Sequence, residues 1–262
     1  MDFQKQPHYL GIDLGSSYTK FAVINADCDV VNSQVLPTFG RRRDRFNMAV
    51  DSMHKNYSIQ KTCTSGYGRN SQKSDIQKTE IICASVGVSQ SNPVHKCIID
   101  IGGEDIKVIE SGSEGEVIHF HMNDKCSAGT GAFITEIAEK AELEIGEMSD
   151  LAQASNANRT INSFCTVFAK TEILGWIFDG VPIEDIAMGI YLSITDRVCK
   201  LPIPHGLPIF LCGGVITHHP YLKQLIESKL GAEAQVALHP LYAVALGAAL
   251  LARKSDSQES RK

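Results

Sequence analysis

Tyr9-Leu10-Gly11-Ile12-Asp13-Leu14-Gly15 is an apolar run that closes on an aspartate, one intervening residue and a glycine. It predicts a buried strand entering a glycine turn, and Lys20-Phe21-Ala22-Val23-Ile24 predicts the strand that returns from it. The same order recurs at Cys97-Ile98-Ile99-Asp100-Ile101-Gly102-Gly103, followed by Ile106-Lys107-Val108-Ile109. Each copy delivers an aspartate to the strand end, then a glycine turn, then a lysine on the return strand. A repeat in which element order and chemistry agree reads as a duplicated core with one β-hairpin per lobe.

Beyond the second hairpin the apolar spacing becomes helical, from Phe133 to Leu143, from Val167 to Phe178 and from Asp185 to Val198. Ile209-Phe210-Leu211-Cys212 predicts a further strand leading into Gly213-Gly214. Helices are expected over Pro220 to Leu230 and Tyr242 to Leu251, the latter rich in small residues suited to close packing. Alternating strands and helices indicate an α/β protein. The expected division is a first lobe over 1–96, a second over 97–254 and a polar, unstructured tail over 255–262.

The hairpin turns suggest an anion site. A glycine lets backbone N–H groups approach an anion closely, and Ser16, Ser17 and Thr19 after Gly15 supply small hydroxyl donors. An aspartate at a strand end, such as Asp13 or Asp100, can hold Mg²⁺ through its retained waters. Two such turns facing each other would clasp a β- and a γ-phosphate from both sides. Gly213-Gly214, late in the chain, suits a backbone passing flat against an adenosine. The three pieces resemble the phosphate-1, phosphate-2 and adenosine motifs of the actin/Hsp70/sugar-kinase superfamily, a two-lobed, ribonuclease H-like ATPase fold. The resemblance implies ATP or ADP with Mg²⁺. No Gly-x-x-x-x-Gly-Lys-Ser/Thr loop is present, which excludes a P-loop protein.

Composition narrows the class. The 262 residues are 43% hydrophobic and 21% charged, as expected of a globular chain able to remove roughly 75% of its extended surface from water. A net charge of −5 argues against a nucleic-acid partner, which would need a clustered basic face. The basic run around Arg41-Arg42-Arg43-Asp44-Arg45 reads as solvated surface before a helix. No apolar stretch suits a bilayer, and the first residues lack a secretory pattern, so a cytoplasmic protein with no membrane partner is expected. In that compartment thiols stay reduced. The 8 cysteines, at 28, 63, 83, 97, 126, 165, 199 and 212, include no Cys-x-x-Cys pair, which excludes a zinc ribbon or a self-contained ferredoxin-type cluster.

Two cysteines stand apart from the rest. Cys126 lies in Asn123-Asp124-Lys125-Cys126-Ser127-Ala128-Gly129-Thr130-Gly131, where Gly129, Thr130 and Gly131 are further candidates to touch phosphate. Cys165 lies in Phe164-Cys165-Thr166-Val167-Phe168-Ala169. Both precede an expected helix start, whose partial positive charge stabilises a thiolate or an anionic cluster. Two cysteines cannot hold a four-iron cluster in one chain, but two chains about a twofold axis bring four thiolates together. The other six read as small buried apolar residues.

With Gly11-Ile12-Asp13-Leu14-Gly15-Ser16-Ser17-Tyr18-Thr19-Lys20, Ile99 to Lys107, Asn123 to Gly131, Cys165 to Ala169 and Leu211-Cys212-Gly213-Gly214-Val215 in this order, the chain resembles the BadF/BadG/BcrA/BcrD-type ATPases. It looks most like the activator of 2-hydroxyacyl-CoA dehydratases and the related reductases of double-cubane-cluster proteins. The resemblance implies a homodimer with one bridging [4Fe–4S] cluster, ligated by Cys126 and Cys165 of each chain. It further implies an electron received from a ferredoxin- or flavodoxin-like donor and passed, with ATP, to a partner iron–sulfur enzyme. Lys20 and Val215 join the nucleotide motifs on the same basis, and Asp13, Asp100 and Glu104 are the residues expected to act on ATP.

The chain departs from the family pattern at three places. Glu104 stands where the family has Gln, Lys170 where an acidic or small residue is common, and Thr135 where Glu is usual. A carboxylate at Glu104 would repel a γ-phosphate, so altered hydrolysis is expected. Two other readings fit the nucleotide motifs: a small-molecule kinase of the same fold, and an ATP-sensing scaffold with inert cysteines. Neither accounts for the settings of Cys126 and Cys165. His119 and His121 lack a third ligand at local spacing, and His218-His219-Pro220 reads as exposed loop.

Overall fold

A computed structural model describes residues 6–38, 43–123, 130–162 and 166–259. The chain opens with β1 (Pro7–Leu14), β2 (Tyr18–Asn25), β3 (Val30–Pro37), α1 (Arg43–Asn56), β4 (Ser58–Ser65), β5 (Ile76–Gln77) and α2 (Glu80–Ser89). There follow β6 (Lys96–Ile101), β7 (Ile106–Ser111), β8 (Val117–Met122), α3 (Gly131–Lys140), α4 (Met148–Ala154), α5 (Thr166–Phe178) and α6 (Ile183–Cys199). The last elements are β9 (Ile209–Cys212), α7 (Gly214–His218), α8 (Tyr221–Leu230), β10 (Ala234–Val236) and α9 (Ala243–Glu259). They form two compact units. One comprises Met1–His95, Ser111–Ile118 and Tyr242–Lys262, the other Lys96–Glu110 and His119–Leu241.

The first unit is built on a sheet of order β3-β2-β1-β4-β5. β1 pairs antiparallel with β2 and parallel with β4. Leu10, Ile12 and Leu14 alternate along β1 and meet Phe21 and Val23 of β2 under Ala49 and Met53 of α1. Each of the larger side chains among these, once out of water, contributes roughly 1.5–3 kcal/mol. The opposite face is covered by α9, whose small residues let it approach the sheet and α2 closely. At Gly247 a Cβ would lie 1.8 Å from the carbonyl oxygen of Cys83, so only glycine allows that helix crossing.

The second sheet has the order β10-β9-β6-β7-β8. Taken from its other edge this is the order of the first sheet, with β6, β7, β8, β9 and β10 in the places of β1 to β5. The connection 102–105 between β6 and β7 is far too short for a parallel crossover, so the pair is an antiparallel hairpin. β6 runs parallel to β9, as β1 does to β4. The duplication seen in two short hairpins therefore extends to five strands per sheet, the arrangement of the actin/Hsp70/sugar-kinase fold. Helices α3, α4, α5, α6 and α8 build the second core around Phe133, Ile137, Ile173, Trp176, Ile190, Tyr191 and Ile194. Trp176 is core, seated over Gly189 with the Arg159 guanidinium 5.2 Å from its ring centre.

The end of the chain differs from the sequence expectation. α9 belongs to the first unit, not to a second lobe ending at 254, and it runs through Ser255 to Glu259 instead of fraying at a polar tail. Its polar residues are anchors. Tyr9 Oη donates to Asp256 Oδ2 at 3.0 Å, Arg253 Nε donates to the Ala26 carbonyl at 2.7 Å, and Lys61 Nζ lies 2.6 Å from Glu259 Oε1. Among the described residues no helix is long and apolar enough to cross a membrane.

Candidate functional site

In the first unit the β1–β2 register sets Asp13 opposite Lys20, and Lys20 Nζ donates to Asp13 Oδ2 at 3.1 Å. Asp13 is 5% exposed, so this charge is held largely out of water at the strand end. The turn between the strands, Gly15-Ser16-Ser17, is tied to β3 and the residue after it: Thr38 Oγ1 donates to the Gly15 carbonyl at 2.8 Å, and Thr38 N–H to the Ser17 carbonyl at 2.9 Å. The Thr19 hydroxyl lies 3.0 Å from that of Thr38. The turn thus has its carbonyls engaged from behind while Ser16 and Ser17 stay partly exposed.

The second unit repeats the arrangement. Lys107 follows Asp100 at the interval by which Lys20 follows Asp13, and its Nζ lies 4.0 Å from Asp100 Oδ2 and 2.5 Å from Asp105 Oδ1. Asp100 is 6% exposed and Lys107 4%. The turn Gly102-Gly103-Glu104-Asp105 is closed by the Gly102 N–H on the Asp105 carbonyl at 2.9 Å, with Glu104 exposed at its tip.

The strand register brings a third piece to Asp100. β9 pairs Cys212 with Asp100, so Gly213 turns directly beside the carboxylate. Gly213 has φ +100, and a Cβ there would lie 2.3 Å from the Ile101 carbonyl oxygen and 2.5 Å from Asp100 Oδ1. Only glycine fits, both for its left-handed backbone and for want of space. At Gly214, by contrast, a Cβ would meet nothing nearer than Leu241 Cδ1 at 3.9 Å. The protein's own packing does not require that glycine, and its bare backbone leaves room for a flat group at the start of α7.

The same geometry exists in the first unit, at residues that sequence reading missed. β4 pairs Ser65 with Asp13, and Gly66 follows with φ +85, its would-be Cβ 2.6 Å from Asp13 Oδ1. Gly66 is to Asp13 what Gly213 is to Asp100. Arg69 braces this turn, donating from Nη1 to the Gly66 carbonyl at 3.1 Å, with Glu80 Oε2 3.7 Å away. The signal was a strand running into Ser65-Gly66-Tyr67-Gly68, a counterpart of Cys212-Gly213-Gly214.

The remaining expected site residues divide. Cys126, Cys165 and Gly129 lie outside the described residues. Thr130 is fully buried, and the N–H of Gly131 is already donated to the Gly102 carbonyl at 3.0 Å, so Gly131 serves the turn as a packing joint and its amide is not free for phosphate. Val215 Cγ2 would sit 3.3 Å from a Cβ at Gly131, which places the α7 start, α3 start and second turn together. Lys170 pairs with Glu136 Oε2 at 2.5 Å, linking α5 to α3, and Thr135 Oγ1 donates back to the Gly131 carbonyl at 3.0 Å. Of the other cysteines, Cys63, Cys83, Cys97 and Cys212 are buried, while Cys28 and Cys199 are partly exposed. Burial pushes the thiol of Cys97 up to about 12 and that of Cys199 to about 11, which keeps both protonated.

His219 corrects an expectation. It is 4% exposed, not a surface residue, and its Nδ1 lies 2.7 Å from Tyr191 Oη. Burial, with the neighbouring His218 charge a lesser cause, pushes it down to about 4, so it sits neutral in the core. The tyrosine hydroxyl also reaches Ser149 Oγ at 3.2 Å. His119 and His121 lie on β8, exposed.

With the two aspartate turns and the Gly-Gly turn in place, the family assignment follows from a match over residues 10–252 to the BadF/BadG/BcrA/BcrD ATPase family. The chain belongs to that family. An activator of lactoyl-CoA dehydratase from Anaerotignum propionicum is 35% identical over 257 residues, covering 95% of this chain and 99% of the relative. The structure of the activator of 2-hydroxyisocaproyl-CoA dehydratase from Clostridium difficile, with bound ADPNP, superposes with a TM-score of 0.88 at 30% identity over 97% of each chain. A ROK family glucokinase from Streptomyces griseus shares the fold alone, with a TM-score of 0.57 at 13% identity, covering 94% of this chain and 99% of the kinase. All five motifs quoted from the sequence therefore fall inside the BadF/BadG/BcrA/BcrD match.

Proposed function

We propose that this chain is an ATP-dependent, low-potential electron donor to an iron–sulfur partner enzyme of the 2-hydroxyacyl-CoA dehydratase or double-cubane-cluster type. The observation that carries the nucleotide part is the repeated constellation of a buried strand-end aspartate, a return-strand lysine and a positive-φ glycine against the carboxylate. Its residues suit Mg·ATP. In this reading Asp13 and Asp100 each serve Mg²⁺ through its retained waters, and the turns Gly15-Ser16-Ser17 with Thr19, and Gly102-Gly103, each offer donors to phosphate. Lys20 adds positive charge on the same strand end. The open backbone at Gly214, with Val215 beside it, suits an adenosine.

The electron-transfer part rests on the sequence settings of Cys126 and Cys165 and on relatives that are dehydratase activators. In this reading two chains pair, and Cys126 and Cys165 of each hold one [4Fe–4S] cluster. Bound, that group would supply one-electron reduction at low potential, refilled by a ferredoxin- or flavodoxin-like protein in a reducing cytoplasm. The chain's own contribution is to bind ATP, orient Mg²⁺ and supply the Cys126 and Cys165 thiolates. Glu104, exposed on the second turn, adds a carboxylate where phosphate would lie and should slow hydrolysis.

The test is anaerobic and uses the full-length protein reduced with dithionite. Mg·ATP should allow it to switch on an oxidised 2-hydroxyacyl-CoA dehydratase, and ATP consumption should rise when that partner is added. ATP use that instead delivers phosphate to a small-molecule hydroxyl would replace this reading with a kinase.

A further inference from the structure

Two buried cysteines of the first unit meet. Cys63 lies on β4 and Cys83 on α2, each fully out of water, and the Cys83 S–H donates to the Cys63 sulfur. Cys63 in turn donates to the Thr64 carbonyl at 3.8 Å. Accepting from Cys83 holds the Cys63 thiol below its ordinary range, with the Lys78 charge a lesser cause, while donating pushes Cys83 well above its own. A thiol that ionises readily, set against one that stays protonated, suits disulfide chemistry: the first reacts and the second resolves. Core packing alone does not dictate cysteine at 63. It pairs with Gly11, two residues before Asp13, and the same place in the second unit, opposite Ile98 and two residues before Asp100, holds Phe210.

The pair sits behind the first aspartate turn. Two residues beyond Cys63, β4 sets Ser65 opposite Asp13, and Gly66 follows with its would-be Cβ 2.6 Å from Asp13 Oδ1. The Ser65 hydroxyl lies beside the Cys83 sulfur, and the Asp13 charge acts on that thiol as well. On its other side α2 is held by α9. Gly247 is pressed on the Cys83 carbonyl and Gly87 on the Ala243 carbonyl, both too closely for a Cβ. The same helix holds β1, where Gly11 lies against the Ala245 carbonyl. A disulfide draws its sulfurs to about 2 Å, well inside a hydrogen-bonded contact. A close-packed core shifts its elements instead of compressing, so with α2 and β1 held by α9 the displacement falls on the Ser65-Gly66 end of β4.

We propose that Cys63 and Cys83 are a reversible disulfide site, closed by a peroxide, whose formation shifts the Ser65-Gly66 strand end against Asp13 and weakens Mg·ATP binding. That consequence rests on the proposed nucleotide reading. Cys63, the thiol that ionises more readily, takes an oxygen from hydrogen peroxide and becomes a sulfenic acid, releasing one water. The Cys83 thiol then attacks that sulfur and displaces the hydroxyl as a second water, so two thiols and one peroxide give one disulfide and two waters. A dithiol reductant returns both thiols by exchange and ends as its own disulfide.

The test uses the full-length protein, purified anaerobically and then treated with hydrogen peroxide. Trypsin leaves Cys63 in peptide 62–69 and Cys83 in peptide 79–96, neither with another cysteine, so mass spectrometry reads the linked pair directly. The link should form with peroxide and disappear with dithiothreitol. Affinity for Mg·ADPNP, measured calorimetrically, should fall about tenfold on oxidation and recover on reduction. Cys83→Ser should bind ADPNP as the untreated wild type does and change by under about twofold with peroxide. Oxidation at Cys126 or Cys165 is common to both proteins, so the difference between them isolates the pair. If Cys83→Ser does not fold, Cys63→Ala serves the same comparison, and the wild-type link is read without either. Peroxide-treated wild type with the two peptides unlinked, or linked with unchanged ADPNP affinity, overturns the proposal. An equal loss of affinity in wild type and Cys83→Ser overturns it as well. Reduced wild type that binds no ADPNP overturns the nucleotide reading and the coupling together, whereas the peptide link would still establish the disulfide site.

Discussion

Gly213 and Gly214 are adjacent, yet alanine at each should fail for different reasons. At Gly213 the backbone has φ +100, a conformation that costs a non-glycine residue roughly 1–2 kcal/mol. The added Cβ would also stand 2.3 Å from the Ile101 carbonyl oxygen and 2.5 Å from Asp100 Oδ1, so β9 and β6 must separate. Overpacking of this kind adds about 1–3 kcal/mol. The sum, about 2–5 kcal/mol, lowers the melting temperature of a chain this size by roughly 4–20 °C. At Gly214 the nearest atom to a new Cβ is 3.9 Å away and the residue opens a helix, so alanine should be neutral or stabilising by up to about 1 kcal/mol. Its methyl would nevertheless stand on the backbone assigned to adenosine, and ATP affinity should fall about tenfold or more. Far-UV circular dichroism melts and titration calorimetry with Mg·ATP separate the two effects. A Gly214→Ala protein that melts as the wild type and binds ATP equally well would refute the placement of adenosine. A Gly213→Ala protein of unchanged stability would refute the strand-end geometry itself.

Other expectations follow from single contacts. Gly247→Ala should cost about 3 kcal/mol or more, because its Cβ would fall 1.8 Å from the Cys83 carbonyl oxygen and force α9 off α2; a melt within a degree or two of wild type would contradict it. His219 is held near 4 when folded and titrates near 6.5 when unfolded, so the unfolded chain binds the extra proton between those values. Stability should therefore fall as pH drops from 6.5 towards 4, by up to about 3 kcal/mol, and His219→Gln should flatten that slope in urea titrations. Equal slopes would show that another group governs acid sensitivity. Glu104→Gln should raise steady-state ATP hydrolysis several-fold by removing a carboxylate from the second turn, and unchanged turnover would count against the repulsion argument.

Much of this was legible because the chemistry is local and repeated. Asp13 and Lys20, like Asp100 and Lys107, sit on consecutive strands of one hairpin, so their order along the chain is their order across the sheet. Gly66 was legible only as a glycine at a strand end, because its place beside Asp13 arises from the parallel pairing of β4 with β1. The end of the chain misled for a similar reason. Ser255, Asp256 and Glu259 look like a solvated tail until Lys61 and Tyr9 are set against them by a helix returning across the whole sequence. His219 reads as loop beside His218 and Pro220, and only the core packing of Tyr191 explains why one of two adjacent histidines is buried. Gly131 was assigned to phosphate from its glycine-rich setting, whereas its amide is claimed by a turn far earlier in the chain.

The central claim is a bridging iron–sulfur cluster on an ATP-binding dimer, and the most direct measurement is iron content with the visible spectrum after anaerobic purification. The wild-type protein should be brown and carry about four irons per dimer, and either Cys126→Ser or Cys165→Ser should bleach it while leaving ATP binding in place. A colourless wild-type protein that takes up no iron on anaerobic reconstitution would contradict the account and leave an ATP-binding protein without an electron to give.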